Sequence, residues 1–322
     1  MILCNFSNTN YHLDWYNGNW KGLQDFLSKN GLDGIELLLH GNEAVEDIPK
    51  DLVKGLHLSY FPTWLEFYNG DDRYELDFPS EASLHQTFGG TDKSAIHNRF
   101  ERDFEIAKKL EAKYMVYHVG HVTTKDAFTF EFEYNNRDVL DKTVEIVNQT
   151  FTGSDEVMLL FENLWWPGLT LLDKEALDNF MSQIEYANKG VMLDLSHLLI
   201  TNSELKTIEE GVKYILATLE NLGESIHWIK GIHINSTLAY NYLKEDHTAL
   251  YNDYIKASDY DKFDIIYKHI SSLDAHIPFL DKGLNRIIEM VEPRYQMIEV
   301  VGKDKSIWEG YVREQLRIMN DI

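Results

Sequence analysis

Nine side chains able to ligate a metal stand where apolar runs of this chain give way to loop residues. They are His57 in GLHLSY, His118 in VYHVGH, Glu162 in LLFENL, Asp194 and His197 in VMLDLSH, His233 in GIHINS, Asp274 and His276 in LDAH, and Glu299 in MIEVV. All are imidazoles or carboxylates, the donors of zinc, manganese and iron sites, whereas oxygen alone would suit magnesium. Asp194 and His197 are three apart at a strand-to-loop turn and can reach the same rim. Asp274 and His276 are two apart, so in extended backbone they face one side and can chelate one ion. A carboxylate closing an apolar run, as Glu162 does, calls for a cation partner, because burying unpaired charge is costly. One histidine at one strand end would mean little. The set as a whole implies a buried transition-metal centre with chemistry to do.

Other residues are open to two readings. Glu36 in GIELLL reaches a pocket if its strand is in the right register, and His121 contacts substrate or caps its loop. Tyr60, Trp64, Trp165 and Trp166 follow the third and fifth apolar runs, where they stack on a substrate ring or pack beneath a loop. His12, His40, His85, His97, His227, His247 and His269 read as structural or surface residues.

Something must hold these residues together. Eight segments read as strands: 1–6, 34–39, 53–60, 114–120, 157–164, 190–197, 229–236 and 295–301. Their apolar residues run continuously instead of alternating, as in parallel strands covered on both faces. Helical spacing falls between them: Ile96, Phe100, Phe104, Ala107 and Leu110 within 94–112, then Leu140, Val144, Val147 and Phe151, then Leu205, Ile208, Val212, Ile215 and Leu219. Asn30-Gly31 predicts the C-terminal cap of the first helix. Segment 42–52 leaves room for only a short helix in the second repeat. The pattern predicts an α/β protein, a (β/α)8 TIM barrel occupying residues 1–322 as one domain. A doubly wound sheet would need a glycine-rich turn after its first strand, and Cys4–Thr9 contains no glycine. Long connections at 61–93, 121–135 and 237–280 follow strand C-terminal ends, where barrel active sites form, and are expected to wall the pocket.

Composition excludes several classes of function. With 53 acidic and 30 basic residues the formal net charge is −23, a field that repels polyanions, so duplex DNA is not an expected partner. No apolar run approaches the roughly 18 residues of a membrane span. The start of the chain lacks a signal-peptide pattern and the single cysteine, Cys4, reads as a core residue, so a cytoplasmic location is expected.

In strand order, the motifs resemble those of the xylose isomerase-like TIM barrel superfamily, also called AP endonuclease family 2, over nearly the whole chain. His57-Leu-Ser-Tyr60 resembles the H-x-S-Y motif of its trinuclear zinc branch, the AP-endonuclease type of DNA-repair enzyme, and His118-Val-Gly120 resembles H-x-G. Glu162-Asn163, Asp194-Leu-Ser-His197, His233-Ile-Asn-Ser-Thr237, Asp274-Ala-His276 and Glu299 continue the series. The resemblance implies one metal on His57, His118 and Glu162, and a second on Glu162, Asp194, His233 and Glu299. A third would sit on His197, Asp274 and His276. Ala275 stands where the repair enzymes carry a basic residue, which, with the acidic charge, argues against DNA as substrate. The isomerase and epimerase branch needs one metal, on the equivalents of Glu162, Asp194, His233 and Glu299. It also uses an arginine where this chain has Ala239.

These readings converge on a multinuclear hydrolase, with two to three zinc ions (manganese or iron as alternatives), acting on a phosphoester bond of a nucleotide-like or cobamide-like small molecule. Glu162 and Glu299 are the expected catalytic carboxylates. The alternative is a single-metal sugar or polyol isomerase or epimerase with the same two glutamates as acid and base. A non-enzymatic metal-binding protein ranks third.

Overall fold

The computed structural model describes residues 1–40, 45–153 and 155–320. Eight short strands form in the eight apolar segments: β1 Ile2–Ser7, β2 Gly34–Leu38, β3 Val53–His57, β4 Tyr114–His118, β5 Met158–Glu162, β6 Lys189–Asp194, β7 Ile229–Ile234 and β8 Tyr295–Ile298. Each pairs in parallel with its neighbour in chain order, and β8 returns to β1, so the sheet closes into the expected (β/α)8 barrel.

Two apolar layers hold the barrel. Inside, Leu3, Tyr114, Val116, Met158, Leu160, Met192, Tyr295 and Met297 fill the lower bore. Outside, residues of the opposite parity, such as Leu159, Phe161, Val191 and Leu193, join the core shared with the surrounding helices. Side chains alternate along a strand, so the next inward position above Leu160 is Glu162, above Met192 is Asp194, and above Val116 is His118. Packing of the lower bore therefore carries the polar residues to the C-terminal mouth. Gly55 is required here, since a Cβ on it would stand 2.3 Å from the Tyr114 ring.

Helix boundaries follow local chemistry. The helix Trp20–Asn30 ends on Gly31, whose φ of 72° is the left-handed cap that glycine favours. Helices Ser94–Lys109 and Asn136–Thr150 bury the predicted apolar faces. Leu205 falls outside the next helix, because Thr207 and Glu210 form a reciprocal cap that starts it at Ile208. Residues 42–44 lie outside the described residues, and 45–52 form turns, so no helix forms in the described part of that segment.

The strands are shorter than the apolar runs. The run 53–60 stops pairing at His57, and Glu299 lies one residue past β8. The run 190–197 stops at Asp194, whose side chain accepts from the His197 N–H and starts the helix Leu195–Ile200. His197 therefore sits on a helix turn and not on a strand-to-loop turn. The insertions are largely helical: Leu65–Asn69 and Glu81–Phe88 in the first, Thr124–Thr129 in the second, Thr248–Lys256 and Asp259–Leu273 in the third. Among the described residues no helix is long and apolar enough to cross a membrane.

Candidate metal centre

All nine ligand-type residues meet at the C-terminal mouth. Glu162 lies at the middle, fully buried, with Oε2 3.3 Å from both His57 Nε2 and His118 Nε2. Its Oε1 stands 3.2 Å from His233 Nδ1 and 3.3 Å from His197 Nδ1. Glu299 Oε2 lies 3.0 Å from His233 Nδ1 and 3.5 Å from His276 Nε2. Asp274 Oδ2 joins His197 Nε2 at 3.3 Å and His276 Nδ1 at 3.1 Å. Three sets emerge in which every donor atom lies within 4.8 Å of the others: His57, His118 and Glu162; Glu162, Asp194, His233 and Glu299; Asp194, His197 and His276. The last set brings in Asp194 beside the expected His197 and His276, while Asp274 bridges those two histidines.

The chemistry of these donors fits divalent cations. Several histidines use one ring nitrogen on an outer acceptor and turn the other inward. His57 Nδ1 faces the Leu58 carbonyl at 3.3 Å and His197 Nδ1 the Asn163 carbonyl at 2.8 Å, each carbonyl selecting the Nδ1–H tautomer. His233 Nε2 faces Glu36 Oε2 at 3.2 Å, which leaves Nδ1 toward the carboxylates. Glu162 Oε2 and His118 Nδ1, both buried, have no hydrogen-bond partner in the protein. Burial alone would raise the carboxyl of Glu162, yet His118 and His233 hold it well below the usual range. Glu299, opposed by burial in the same way, is held down by His233 and His276. Burial dominates at Asp194 and raises it. His197, disfavoured as a cation by burial, is raised to about 10 by Asp194 and Asp274. Buried carboxylates at this density require positive charge, from imidazolium protons or from metal ions.

Four further residues, not singled out from sequence, fix the donors. The side-chain amide of Asn163 grips the Asp194 backbone from both sides, accepting from its N–H at 2.8 Å and donating to its carbonyl at 3.1 Å. Asn235 donates to Asp194 Oδ2 at 2.7 Å and Glu299 Oε2 at 3.2 Å while accepting from the Ser196 N–H. Ser196 Oγ donates to Asp274 Oδ1 at 2.7 Å, and Tyr114 Oη donates to Glu36 Oε2 at 2.7 Å. Asn163, Asn235 and Ser196 fall inside the quoted motifs, which was the available signal. Tyr114 carries none.

A cavity of about 510 Å³ opens above the centre, and His57, His118, His197, Asp274, His276 and Glu299 form its floor, within the size range of small-molecule sites. Tyr60, Trp165 and Trp166 line it; the Tyr60 ring lies 4.2 Å from that of His118, and Trp165 lies 5.0 Å from His197. Three of the residues open to two readings lie outside the cavity. Glu36 is wholly buried beneath His233 and does not reach the cavity, since its register points it into the bore. His121 is buried away from the cavity, accepting at Nδ1 from the Trp64 and Leu65 N–H groups and pairing with Glu66 at 3.3 Å. Trp64 is packed inside the first insertion, donating from Nε1 to the Gly120 carbonyl. Conversely His40, set aside from sequence, stands at the cavity rim, and Arg99 lines the wall.

A family model described as xylose isomerase-like TIM barrel matches residues 24–253. Among solved structures, the fold is similar to endonuclease IV from Thermus thermophilus, with a TM-score of 0.53 at 14% identity over 100% of this chain and 99% of that one. It is also similar to 3-keto-D-glucoside 4-epimerase from E. coli (TM-score 0.50, 11% identity, 99% of each chain). A sugar phosphate isomerase/epimerase from Parabacteroides distasonis gives a TM-score of 0.50 at 10% identity over 99% of this chain and 98% of that one. At these identities the likeness is one of fold. Comparison with curated protein sequences gives no match.

Proposed function

Because the chain belongs to the xylose isomerase-like TIM barrel family, we propose that it is a metal-dependent hydrolase that cleaves a phosphoester bond of a small molecule. The supporting observation is the merging of eight of the nine ligand-type side chains into sets that share Glu162 and Asp194, with Asp274 beside His197 and His276, more donors than one ion of four to six ligands can use. His57, His118 and Glu162 would hold one ion, Glu162, Asp194, His233 and Glu299 a second, and His197, Asp274 and His276 with Asp194 a third. Zinc fits this mixture of imidazole and carboxylate best, with manganese or iron as alternatives. Such ions would supply an acidified water and charge stabilisation for in-line displacement at phosphorus.

The chain's own groups divide the remaining work. Glu299 reaches the cavity floor whereas Glu162 lies beneath it, so Glu299 takes the proton from the attacking water and Glu162 holds the sets together. Tyr60 and Trp165 offer aromatic faces for a bulky, partly aromatic substrate, nucleotide-like or cobamide-like. Duplex DNA is disfavoured by the charge of −23 and by Ala275 in the D-x-H motif.

One observation favours a second reading. Glu162, Asp194, His233 and Glu299 form a complete four-donor set by themselves, all that a single-metal sugar isomerase or epimerase needs, with the two glutamates moving protons beside the sugar. That reading leaves His57, His118, Asp274 and His276 without a task. Elemental analysis of protein purified without added metal separates the two, with about two to three equivalents expected. Asp274→Asn should lower turnover of a phosphodiester panel and spare the four-donor metal. One equivalent, with ketose turnover and carbon-bound proton exchange indifferent to Asp274→Asn, would put the isomerase in its place.

A further inference from the structure

An acidic protein that binds an anionic substrate needs a local exception to its own field, and the cavity wall contains one. Among the described residues lining the cavity, Arg99 is the only lysine or arginine. It projects from the helix Ser94–Lys109, one turn before Asp103. Asp103 is buried, and its Oδ2 accepts from the Ser59 N–H at 2.8 Å, which docks this helix onto the loop after β3 that lines the cavity. Burial raises the Asp103 carboxyl, and the Ser59 N–H and then the Arg99 charge only partly oppose that rise. Even so, among the described residues the guanidinium makes no hydrogen bond or ion pair with Asp103 or any other group. Its donors stay available beside the cavity.

Unsatisfied donors recur around the same wall. Tyr60 Oη and the indole Nε1 atoms of Trp165 and Trp166 are buried and without an acceptor in the protein. All three residues line the cavity. Buried donors left unpaired are a cost to the free protein, and a turn of these side chains toward a ligand rich in acceptor oxygens would remove it. The residues that would hold the metal ions form the floor and Arg99 stands on the wall, so with metal bound an anionic ligand would have two separate places to bind.

We propose that Arg99 is the anion anchor of this cavity, and that the ligand carries a second anionic group, carboxylate or phosphate, remote from its reacting bond. A guanidinium suits either group through paired N–H donors. The proposal rests on the reading of this cavity as the substrate site. It narrows the substrate class to small molecules with two polar ends, and makes Arg99 a specificity-determining residue.

The test uses metal-loaded, full-length protein and two ligand pairs in which one member carries an added remote anionic arm: methylphosphonate against 3-phosphonopropionate, and a free ketohexose against its terminal phosphate. Kd values are measured calorimetrically for wild type, Arg99→Met and Arg99→Lys. In at least one pair the member with the remote anionic group should bind wild type at least about tenfold more tightly. That gain should vanish in Arg99→Met, return in part in Arg99→Lys, and shrink as salt is raised. Methylphosphonate should bind wild type and Arg99→Met alike, and thermal unfolding should show both variants folded. A gain confined to the ketose pair would keep the anchor and count against phosphoester chemistry. Equal affinities within both pairs, a gain that survives Arg99→Met, or no binding of either member with the remote anion would overturn the anchor. Turnover of phosphoesters by wild type, scored separately, decides the reaction itself.

Discussion

His233 faces in two directions, and that geometry sets the first expectation. Its Nδ1 looks into the carboxylates of Glu162 and Glu299, and its Nε2 meets Glu36, which also accepts from Tyr114. A carboxylate behind a ligating imidazole fixes the tautomer and raises the basicity of the inward nitrogen. Glu36→Gln should therefore weaken metal binding by about tenfold to a hundredfold, measured by competition with a chelator, with little change in fold. Unchanged metal affinity would show that Glu36 only fills the bore. At the reacting carboxylate, Glu299→Gln keeps shape and removes charge, and activity should fall at least about a hundredfold. Near wild-type turnover would place the chemistry elsewhere.

Among the elements, the loop after β5 decides where the tryptophans stand. Gly168 bridges to Gly120 in the loop after β4, and its φ of +143° lies where only glycine is comfortable. A Cβ there would stand 2.3 Å from the Val119 carbonyl oxygen. The same junction is closed by His121 N–H to the Pro167 carbonyl and Leu169 N–H to the Val119 carbonyl. Gly168→Ala should cost about 1–3 kcal/mol through backbone strain, seen as a lower urea midpoint. It should also shift the emission of Trp165 and Trp166, which the loop holds over the cavity. A variant with wild-type midpoint and emission would mean that the junction bends without loss.

For the molecule as a whole, charge and buried histidines govern the response to solvent. With a net charge of −23, tight binding of duplex DNA at near-physiological salt is not expected. A gel-shift assay with abasic-site DNA checks this, and binding followed by incision would reverse it. Away from the centre, His12, His97 and His269 are each lowered, chiefly by burial, with His12 at about 4. Each stays neutral in the fold and takes a proton on unfolding, so stability is full above the unfolded value of about 6.5 and falls as pH drops below it. For His12 the loss continues down to about pH 4. Urea midpoints at pH 7 and pH 5 should differ less in His12→Gln than in wild type. An identical difference in both would remove His12 from the account.

Eight apolar runs, their order, and the acid or histidine that ends most of them could be read from the chain alone. Those features are local: strand-forming runs, helix periodicity such as Ile96 to Ala107, and the Asn30-Gly31 cap need no knowledge of the rest of the chain. Which face of each strand points inward was not legible. Parallel strands buried on both sides lack the alternation that marks a face, so Glu36 read as a pocket residue when its register places it in the bore under His233. The strand-to-helix switch at Asp194 was hidden for a related reason, because LDLSH is apolar enough for a strand and only the cap on His197 N–H turns it. His121 and Trp64 lie in insertions, where composition does not report which neighbour a side chain will find, and there the His121 ring met the Trp64 backbone. Arg99 carried no motif at all. Barrel closure alone brings its helix against the loop after β3, and that long-range packing decided which cation faces the cavity.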